Sequence, residues 1–241
     1  MTSSSIVTVL DRPQNPANIG AVVRAMANLA YFDLRLGNPA PFERQELLRY
    51  AHRCDDLVAG LTIHSSLDDA LTDAVYVVGT AAHPHPDRLH TYDIRGLAAD
   101  LAARSRCGPV ALLFGTEGDG LDRSALDRCH LIASVPMNPA YAALNLAQSV
   151  LLLLYEMRMA IGSPPPAPTG GETSDTPPAR QAELARLFAL TEELLHAVDY
   201  FRYSPETVMR DLRAIIYRSR LTSAEAAMLM GMVRKLLART G

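Results

Sequence analysis

The sequence predicts an α/β domain with a parallel sheet, followed by a small helical extension. Short β-rich segments alternate with helical patterns from residue 6 to residue 161, which is typical of parallel α/β folds. Two of these segments, VYVVG and VALLFG, are apolar without alternation, which indicates strands covered by helices on both faces. After a proline-rich segment the spacing of apolar residues becomes purely helical.

The first half of the domain begins with a strand, IVTVL (6–10), and a helix from Ile19 with an apolar stripe. That stripe comprises Ile19, Val22, Val23, Met26 and Leu29. The next predicted elements are the strand DLRLG (33–37), a helix near Glu43 to Ala51, the segment LDDALTD (67–73) and the strand segment AVYVVGT (74–80).

The second half continues the alternation and ends in a long helix. Its predicted elements are a helix around Ile94 to Arg104, the strand VALLFG (110–115), a short helix near Asp122 to Asp127, the strand LIASVP (131–136) and a helix from about Tyr141 to Ile161.

The domain boundary is predicted at residues 163–179, which hold six prolines, two glycines and no large apolar residue. This composition indicates a linker between a domain at 1–162 and an extension at 180–241. Three helices are expected in the extension. Ser204-Pro205 and the capping-box sequence Thr222-Ser223-Ala224-Glu225 mark the starts of the second and third.

Charge and cysteine content favour a soluble, reduced protein of the cytoplasm. The net charge is −3, and the single lysine makes arginine the main cation. Residues 1–162 carry 13 Arg and 17 acids (−4), whereas residues 180–241 carry 10 Lys or Arg and 7 acids (+3). The basic extension is a weak signal for nucleic-acid binding. The odd, widely spaced set Cys54, Cys107 and Cys129 favours a reducing compartment, and no apolar run is long enough to span a membrane.

Three turns after predicted strands are the candidate ligand-binding segments, because parallel α/β sheets bind ligands at the carboxyl ends of their strands. The first, VVGTAAHPHP (77–86), contains His83 and His85 without further ligands at metal spacing, so no metal site is predicted. The second, LFGTEGDGLD (113–122), places three glycines around Glu117. The third leads into the long helix with Asn145 in its first turns, where its amide needs a partner.

The helix after the first strand carries Arg24 on a face of small residues. Gly20, Ala21, Ala27 and Asn28 surround it at helical spacing. A ligand or another chain could therefore approach Arg24 closely, although a solvated surface arginine is an equal alternative.

Three segments together resemble the motifs of the SpoU branch of the SPOUT RNA methyltransferases. They are NPANIGAVVRA, LFGTEGDGL and VPMNPAYAALNLAQSVLLLLYE, and the similarity covers nearly all of residues 4–161. Past the linker, LRAIIYRSRLTSAEAAMLMGMVRKL (212–236) is similar to the helical extension of the TrmJ type, whose members modify tRNA.

The resemblance implies a SPOUT fold with a C-terminal deep trefoil knot, a homodimer, and S-adenosylmethionine as the cofactor without a metal. The implied reaction is methyl transfer to a ribose 2′-hydroxyl of RNA, and the TrmJ type implies nucleotide 32 of the tRNA anticodon loop. The resemblance places Asn18, Arg24, Glu117 and Asn145 in the catalytic site. The implied cofactor-binding residues are Gly79, Thr80, Ala81, Gly115, Glu117, Gly120, Val135, Ala143, Leu144 and Asn145.

The expected role of Arg24 is electrostatic. A guanidinium stays protonated in proteins and is therefore a poor base, so we expect Arg24 to bind phosphate and stabilise the developing alkoxide. Glu117 and Asn18 are expected to orient it. Arg210 and Arg213, one helical turn apart, and Arg220 just beyond them, are expected to contact RNA phosphates with Arg24.

Two departures from the TrmJ type leave the substrate open. This chain reads GTAAH where that type reads GTSAR, and AALNL where it reads SSLNL, so Ala143 replaces a serine. An rRNA methyltransferase and a non-catalytic RNA-binding relative are the alternatives. A nucleotide-dependent oxidoreductase is disfavoured, because no GxGxxG motif follows the first strand.

Overall fold

A computed structural model describes residues 5–85, 87–141, 143–162, 177–202 and 204–240. Within these residues, a seven-stranded sheet with the order β3-β2-β1-β6-β4-β7-β5 forms the centre of the α/β domain, and all of its neighbouring strands are parallel. The strands are β1 (Ile6–Asp11), β2 (Asp33–Gly37), β3 (Thr62–His64), β4 (Tyr76–Thr80), β5 (His90–Thr91), β6 (Val110–Phe114) and β7 (Leu131–Ala133). The parallel sheet is confirmed.

Seven α-helices are described in the α/β domain and three in the extension. They are α1 (Pro16–Leu29), α2 (Arg44–Leu48), α3 (Asp55–Gly60), α4 (Leu67–Leu71), α5 (Ile94–Arg104), α6 (Arg123–Leu126), α7 (Leu146–Ile161), α8 (Gln181–Ala197), α9 (Pro205–Ser219) and α10 (Ser223–Leu237). The predicted pattern omitted β3, β5 and α3. These elements have two to six residues, which is too short to show a period.

Two apolar clusters cover the two faces of the sheet. Ile6 and Leu10 of β1 pack with α1, α5 and α7, whereas Val7 and Val9 pack with α4 and α6 on the other face. All residues of β6 and the central residues of β4 are buried, as their unalternating apolar sequences predict. All residues of β1 are buried as well. The trefoil knot implied by the resemblance stays a prediction.

Two helix starts differ from the predicted ones. The first helix begins at Pro16, three residues before Ile19, because Asn15 caps it and proline suits the first helical position. The long helix begins at Leu146, so the start predicted near Tyr141 is wrong. Pro139–Tyr141 forms a separate short 3₁₀ helix, and Asn145 is the N-cap of α7, not a residue of its first turns.

The extension packs directly on the α/β domain. The backbone N–H of Gln181 donates to Ala74 O at 2.8 Å, and the Tyr217 ring lies 4.3 Å from that of His130. Burial, followed by the charge of Arg104, lowers the pKa of His130 to about 3. The neutral ring accepts a hydrogen bond from Val77 N–H through Nδ1. The extension is therefore held against the sheet by a buried aromatic contact.

The predicted linker at 163–179 lies outside the described residues as far as residue 176. Its last three residues run beside the start of α10. Pro178 pairs with Thr222, and the buried Ala179 donates its N–H to Leu221 O at 2.8 Å. Residues 177–179 thus belong to the extension.

Candidate functional site

A cavity of about 360 Å³ opens at the carboxyl edge of the sheet. Its walls come from the segments after β4, β6 and β7, together with the start of α7. Of the predicted cofactor-binding residues, the cavity is lined by Thr80, Ala81, Gly115, Glu117, Gly120, Val135, Ala143 and Leu144. The three predicted turns therefore meet in one place.

Two predicted residues are absent from the described lining of this cavity. A methyl group on Gly79 would lie 2.5 Å from Cys129 Sγ. The close packing of β4 against Cys129 therefore requires glycine at this position. Asn145 caps α7 and contacts Asn18. Cofactor binding by these two residues stays a prediction.

The loop after β6 folds back on Gly115. Thr116 and Gly120 exchange backbone hydrogen bonds of 3.2 and 3.1 Å, and Gly120 has a φ of 69°. A methyl group on Gly115 would lie 2.0 Å from the carbonyl carbon of Gly120. Glycine at 115 is thus required by the closeness of the loop's two ends, and glycine at 120 suits the left-handed turn.

Glu117 holds the start of α1 in place. Its carboxylate accepts hydrogen bonds from the backbone N–H of Asn15 at 3.0 Å and of Gln14 at 3.1 Å, and from Asn18 Nδ2 at 3.2 Å. Burial raises the pKa of Glu117, but these hydrogen bonds outweigh it and bring the pKa below its usual value. Glu117 is an ionised acceptor at neutral pH.

The chain of contacts continues to the third motif. Asn18 Oδ1 accepts from Asn145 Nδ2 at 3.0 Å, while Asn145 Oδ1 accepts from the N–H of Ala147 at 2.9 Å. The partner required by the Asn145 amide is therefore Asn18. Glu117, Asn18 and Asn145 join residues from all three motifs at the mouth of the cavity.

Arg24 lies apart from this chain of contacts. It is exposed and forms no hydrogen bond or ion pair with any residue in the described ranges. Six residues separate it from Asn18, which corresponds to about 9 Å along the helix and a different face. The expectation that Glu117 and Asn18 orient Arg24 is therefore wrong within one chain.

Packing within the chain explains part of the small-residue face near Arg24. A methyl group on Gly20 would lie 2.7 Å from Leu47 O and 2.8 Å from Tyr50 Cβ, so Gly20 is small because the end of α2 packs against it. Ala21 and Ala27 are half-buried. Gly20 is consequently unavailable to a second subunit.

The three arginines of the extension that are predicted to bind RNA have different surroundings. Arg210 approaches Asp87 at 3.9 Å and Asp211 at 3.5 Å, and the guanidinium of Arg213 lies 5.5 Å from the centre of the Phe188 ring. Both are half-buried against their own chain, unlike the open phosphate-facing pair that the helical spacing predicts. Arg220 is exposed and ends α9 in a left-handed conformation.

Some residues that shape the site belong to no sequence motif, so they could not be predicted from the sequence. Arg12 ties the end of β1 to the start of α6 by pairing with Asp122 at 2.6 Å. Ser134 donates to Ala81 O at 2.5 Å and bonds His90 at 2.8 Å, which fixes the first turn against the third. Asn15 could have been predicted as the N-cap of α1, because asparagine before proline is a helix-start pattern. His83 and His85 line the cavity, and no group of three metal-ligand side chains occurs among the described residues.

The geometry at the carboxyl edge agrees with a family comparison. A model of the SpoU rRNA Methylase family matches residues 5–155. The chain belongs to this family. SpoU relatives among curated proteins match almost the full chain. The tRNA (cytidine/uridine-2'-O-)-methyltransferase TrmJ of Klebsiella pneumoniae is 32% identical over 231 residues, covering 95% of each chain. That of Cronobacter sakazakii is 32% identical over 232 residues, covering 95% of this chain and 94% of the relative.

Solved SpoU-type structures share the architecture. The crystal structure of TrmJ from Z. mobilis ZM4 matches with a TM-score of 0.82 at 28% identity, covering 95% of this chain and 98% of that chain. A structure described as giving insights into the 2-OH methylation of C/U34 on tRNA matches with a TM-score of 0.54 at 27% identity, covering 68% and 94%. The first match includes the extension, which confirms the resemblance to the TrmJ type.

Replacing Glu117 with glutamine should lower the methyl-transfer rate by about tenfold or more at neutral pH, because hydrogen bonds to a charged acceptor contribute roughly 1.5–3 kcal/mol. The amide would also turn a donor group toward three N–H donors. Because the folded state lowers the pKa of Glu117, its stabilisation is present above its ordinary pKa and is lost as pH falls through the lowered value. Thermal unfolding of both proteins between pH 3 and 8 measures this difference.

Glu193 provides the matched control, since it is an exposed glutamate on α8 and is absent from the described lining of the cavity. Glu193→Gln should change neither rate nor unfolding. Equal behaviour of Glu117→Gln and Glu193→Gln would contradict the role of Glu117.

Proposed function

We propose that the protein is an S-adenosylmethionine-dependent methyltransferase that methylates the 2′-hydroxyl of nucleotide 32 in the tRNA anticodon loop. The observation that carries the proposal is the Glu117–Asn18–Asn145 chain of hydrogen bonds at the mouth of the cavity. It joins the three motifs of a SpoU family member whose curated relatives are named tRNA 2′-O-methyltransferases.

The cavity fits this cofactor in size and in chemistry. It is about 360 Å³ in volume, within the usual range of small-molecule sites, and it combines apolar side chains with loop backbone. Thr80, Ala81, Gly115, Val135, Ala143 and Leu144 would hold the adenosine and methionine parts largely through backbone contacts. When bound, S-adenosylmethionine supplies an activated methyl group, so the protein mainly has to position the acceptor hydroxyl.

The residues around the cavity have two further roles, which are to position the helices and to bind the RNA. Glu117 and Asn18 fix the start of α1, and Asn145 fixes the start of α7, so that both helices keep their places at the cavity mouth. Arg24, exposed two helical turns further along, binds the RNA phosphate and stabilises the alkoxide that develops on the 2′-oxygen. The proton passes to phosphate or water, because a guanidinium is a poor base.

The extension supplies further RNA contacts through Arg210, Arg213 and Arg220. Arg220 is already exposed, whereas Arg210 and Arg213 would exchange their contacts with Asp87 and Phe188 for contacts with RNA.

The protein acts in the cytoplasm, in keeping with free Cys54, Cys107 and Cys129. None of the described helices is long and apolar enough to cross a membrane.

The proposed active form is a homodimer joined through α7 and the adjoining face of α1. Leu151, Tyr155 and Met159 form an exposed apolar stripe at helical spacing on α7. Replacing Leu151 and Tyr155 with aspartate should give a monomer in light scattering at micromolar concentration, because charges would replace apolar contacts. Ile63→Asp, at another exposed apolar position, should leave the mass unchanged. A monomeric wild type would contradict the dimer.

The direct test is methylation of unmodified tRNA with labelled S-adenosylmethionine, followed by mapping of the labelled nucleotide. Label on the ribose of nucleotide 32 supports the full proposal. Label on another tRNA position, or on rRNA offered in parallel, would overturn the target. Cofactor and RNA binding without transfer would identify a non-catalytic relative.

A further inference from the structure

A segment outside the three motifs, residues 49–53, lies beside Arg24. The Tyr50 side chain meets α1 at Gly20, where an added methyl group would be 2.8 Å from Tyr50 Cβ. Arg24 lies four residues after Gly20 and therefore on the same face of α1. Helical side chains lean toward the helix N-terminus, so an Arg24 side chain in the usual helical rotamers would extend over the turn of Gly20, toward Tyr50.

The segment is a fixed turn with an open outer surface. Ala51 and Cys54 are buried, and the N–H groups of Tyr50 and Ala51 both donate to Leu47 O. Arg53 has a φ of 60°, an uncommon conformation for a residue with a side chain. The side chains of Arg49, Tyr50, His52 and Arg53 all point to solvent, and Tyr50 is 48% exposed.

These arginines differ from most others in the α/β domain. Acidic partners hold Arg12, Arg35, Arg88, Arg95, Arg104, Arg123 and Arg128. Within the described part of the chain, Arg24, Arg49 and Arg53 have no such partner. Among the nearby acids in sequence, the Glu46 carboxylate accepts from the backbone N–H of Glu43 at 3.4 Å. Asp55 and Asp56 lie in the first turn of α3, where they suit the positive end of the helix.

We propose that Arg49, Tyr50 and Arg53 form a second RNA-contact surface continuous with Arg24. The arginines bind two phosphates beside the nucleotide held at Arg24, and the Tyr50 ring stacks on an unpaired base. Unpaired cations interleaved with an exposed aromatic ring are the chemistry that binds single-stranded RNA, as in a loop. This inference rests on the proposed RNA substrate.

The test compares variants with wild type in binding to an unmodified tRNA transcript at several salt concentrations. Arg49→Ala with Arg53→Ala should weaken binding about tenfold and lower the salt slope by about two, since each phosphate contact contributes about one. Tyr50→Ala should weaken binding several-fold, whereas Tyr50→Phe keeps the stacking ring and the affinity. S-adenosylmethionine affinity and dimer mass should stay at wild-type values.

Arg106→Ala is the matched control, because Arg106 is exposed near the amino edge of the sheet, away from the cavity. A double variant that binds tRNA with the affinity and salt slope of Arg106→Ala overturns the surface. A double variant that becomes monomeric would instead assign the segment to the subunit interface. Methylation by the wild type is measured first, and its absence overturns the proposed function. If the wild type is active but the variants bind tRNA as tightly as it does, only this surface is overturned.

Discussion

Replacing Arg24 with alanine should lower the single-turnover rate of methyl transfer by on the order of a hundredfold or more, while S-adenosylmethionine affinity stays nearly unchanged. The expected loss follows from the removal of a positive group that stabilises charge in the transition state. The cofactor is unaffected because Arg24 is absent from the described lining of the cavity. Single-turnover kinetics at saturating tRNA measure the chemical step apart from RNA binding.

The alternative for Arg24 is an ordinary surface arginine, whose loss rarely costs more than about 0.5 kcal/mol. That alternative expects a rate change of about twofold or less. Arg106→Ala gives the baseline for such a loss of surface charge. An Arg24→Ala rate equal to this baseline would end the catalytic role of Arg24.

Replacing Gly115 with alanine should abolish measurable S-adenosylmethionine binding in calorimetry, a loss of about a hundredfold or more. The new methyl group would lie 2.0 Å from the Gly120 carbonyl carbon and 2.3 Å from Leu121 N, so the loop must open. The colliding atoms are backbone, and they cannot move aside as a flexible side chain could.

Gly60 offers a control outside the cavity, since a methyl group there meets no atom within 4 Å and the residue is absent from the described lining of the cavity. Gly60→Ala should bind the cofactor with wild-type affinity. Circular dichroism of both variants separates a local change from global unfolding. Wild-type cofactor affinity in Gly115→Ala would show that the loop does not form the binding site.

Much of the α/β domain could be predicted, because its longer helices show apolar stripes and its buried strands are short continuous apolar runs. The strands at 33–37, 76–80 and 110–114 and the helix at 94–104 lie within the predicted segments, and the first strand extends one residue beyond the predicted 6–10. The strand predicted at 131–136 is shorter in the structure, where it ends at Ala133. The convergence of three turns was also predictable, since parallel strands bring their carboxyl ends to one edge.

The pairings inside the site could not be predicted, because they depend on distances between residues far apart in the sequence. The family resemblance led to the expectation that Glu117 orients Arg24, but the carboxylate accepts hydrogen bonds from two backbone N–H groups and Asn18. Likewise, helical spacing suggested that Gly20 made room for a ligand. Only the packing of α2 reveals that Leu47 and Tyr50 occupy that space.

The Glu117–Asn18–Asn145 connection also constrains when the protein can become functional during its synthesis. Its two side-chain bonds close separations of 99 and 127 residues, so they cannot form before most of the domain has been made. In the sheet, β1 lies between β2, which follows it in the sequence, and β6, which comes more than a hundred residues later, so one side of β1 stays unpaired until β6 has been made. A nascent chain that ends before Asn145 has no complete site, so cofactor capture by the growing chain would mark the completion of its domain.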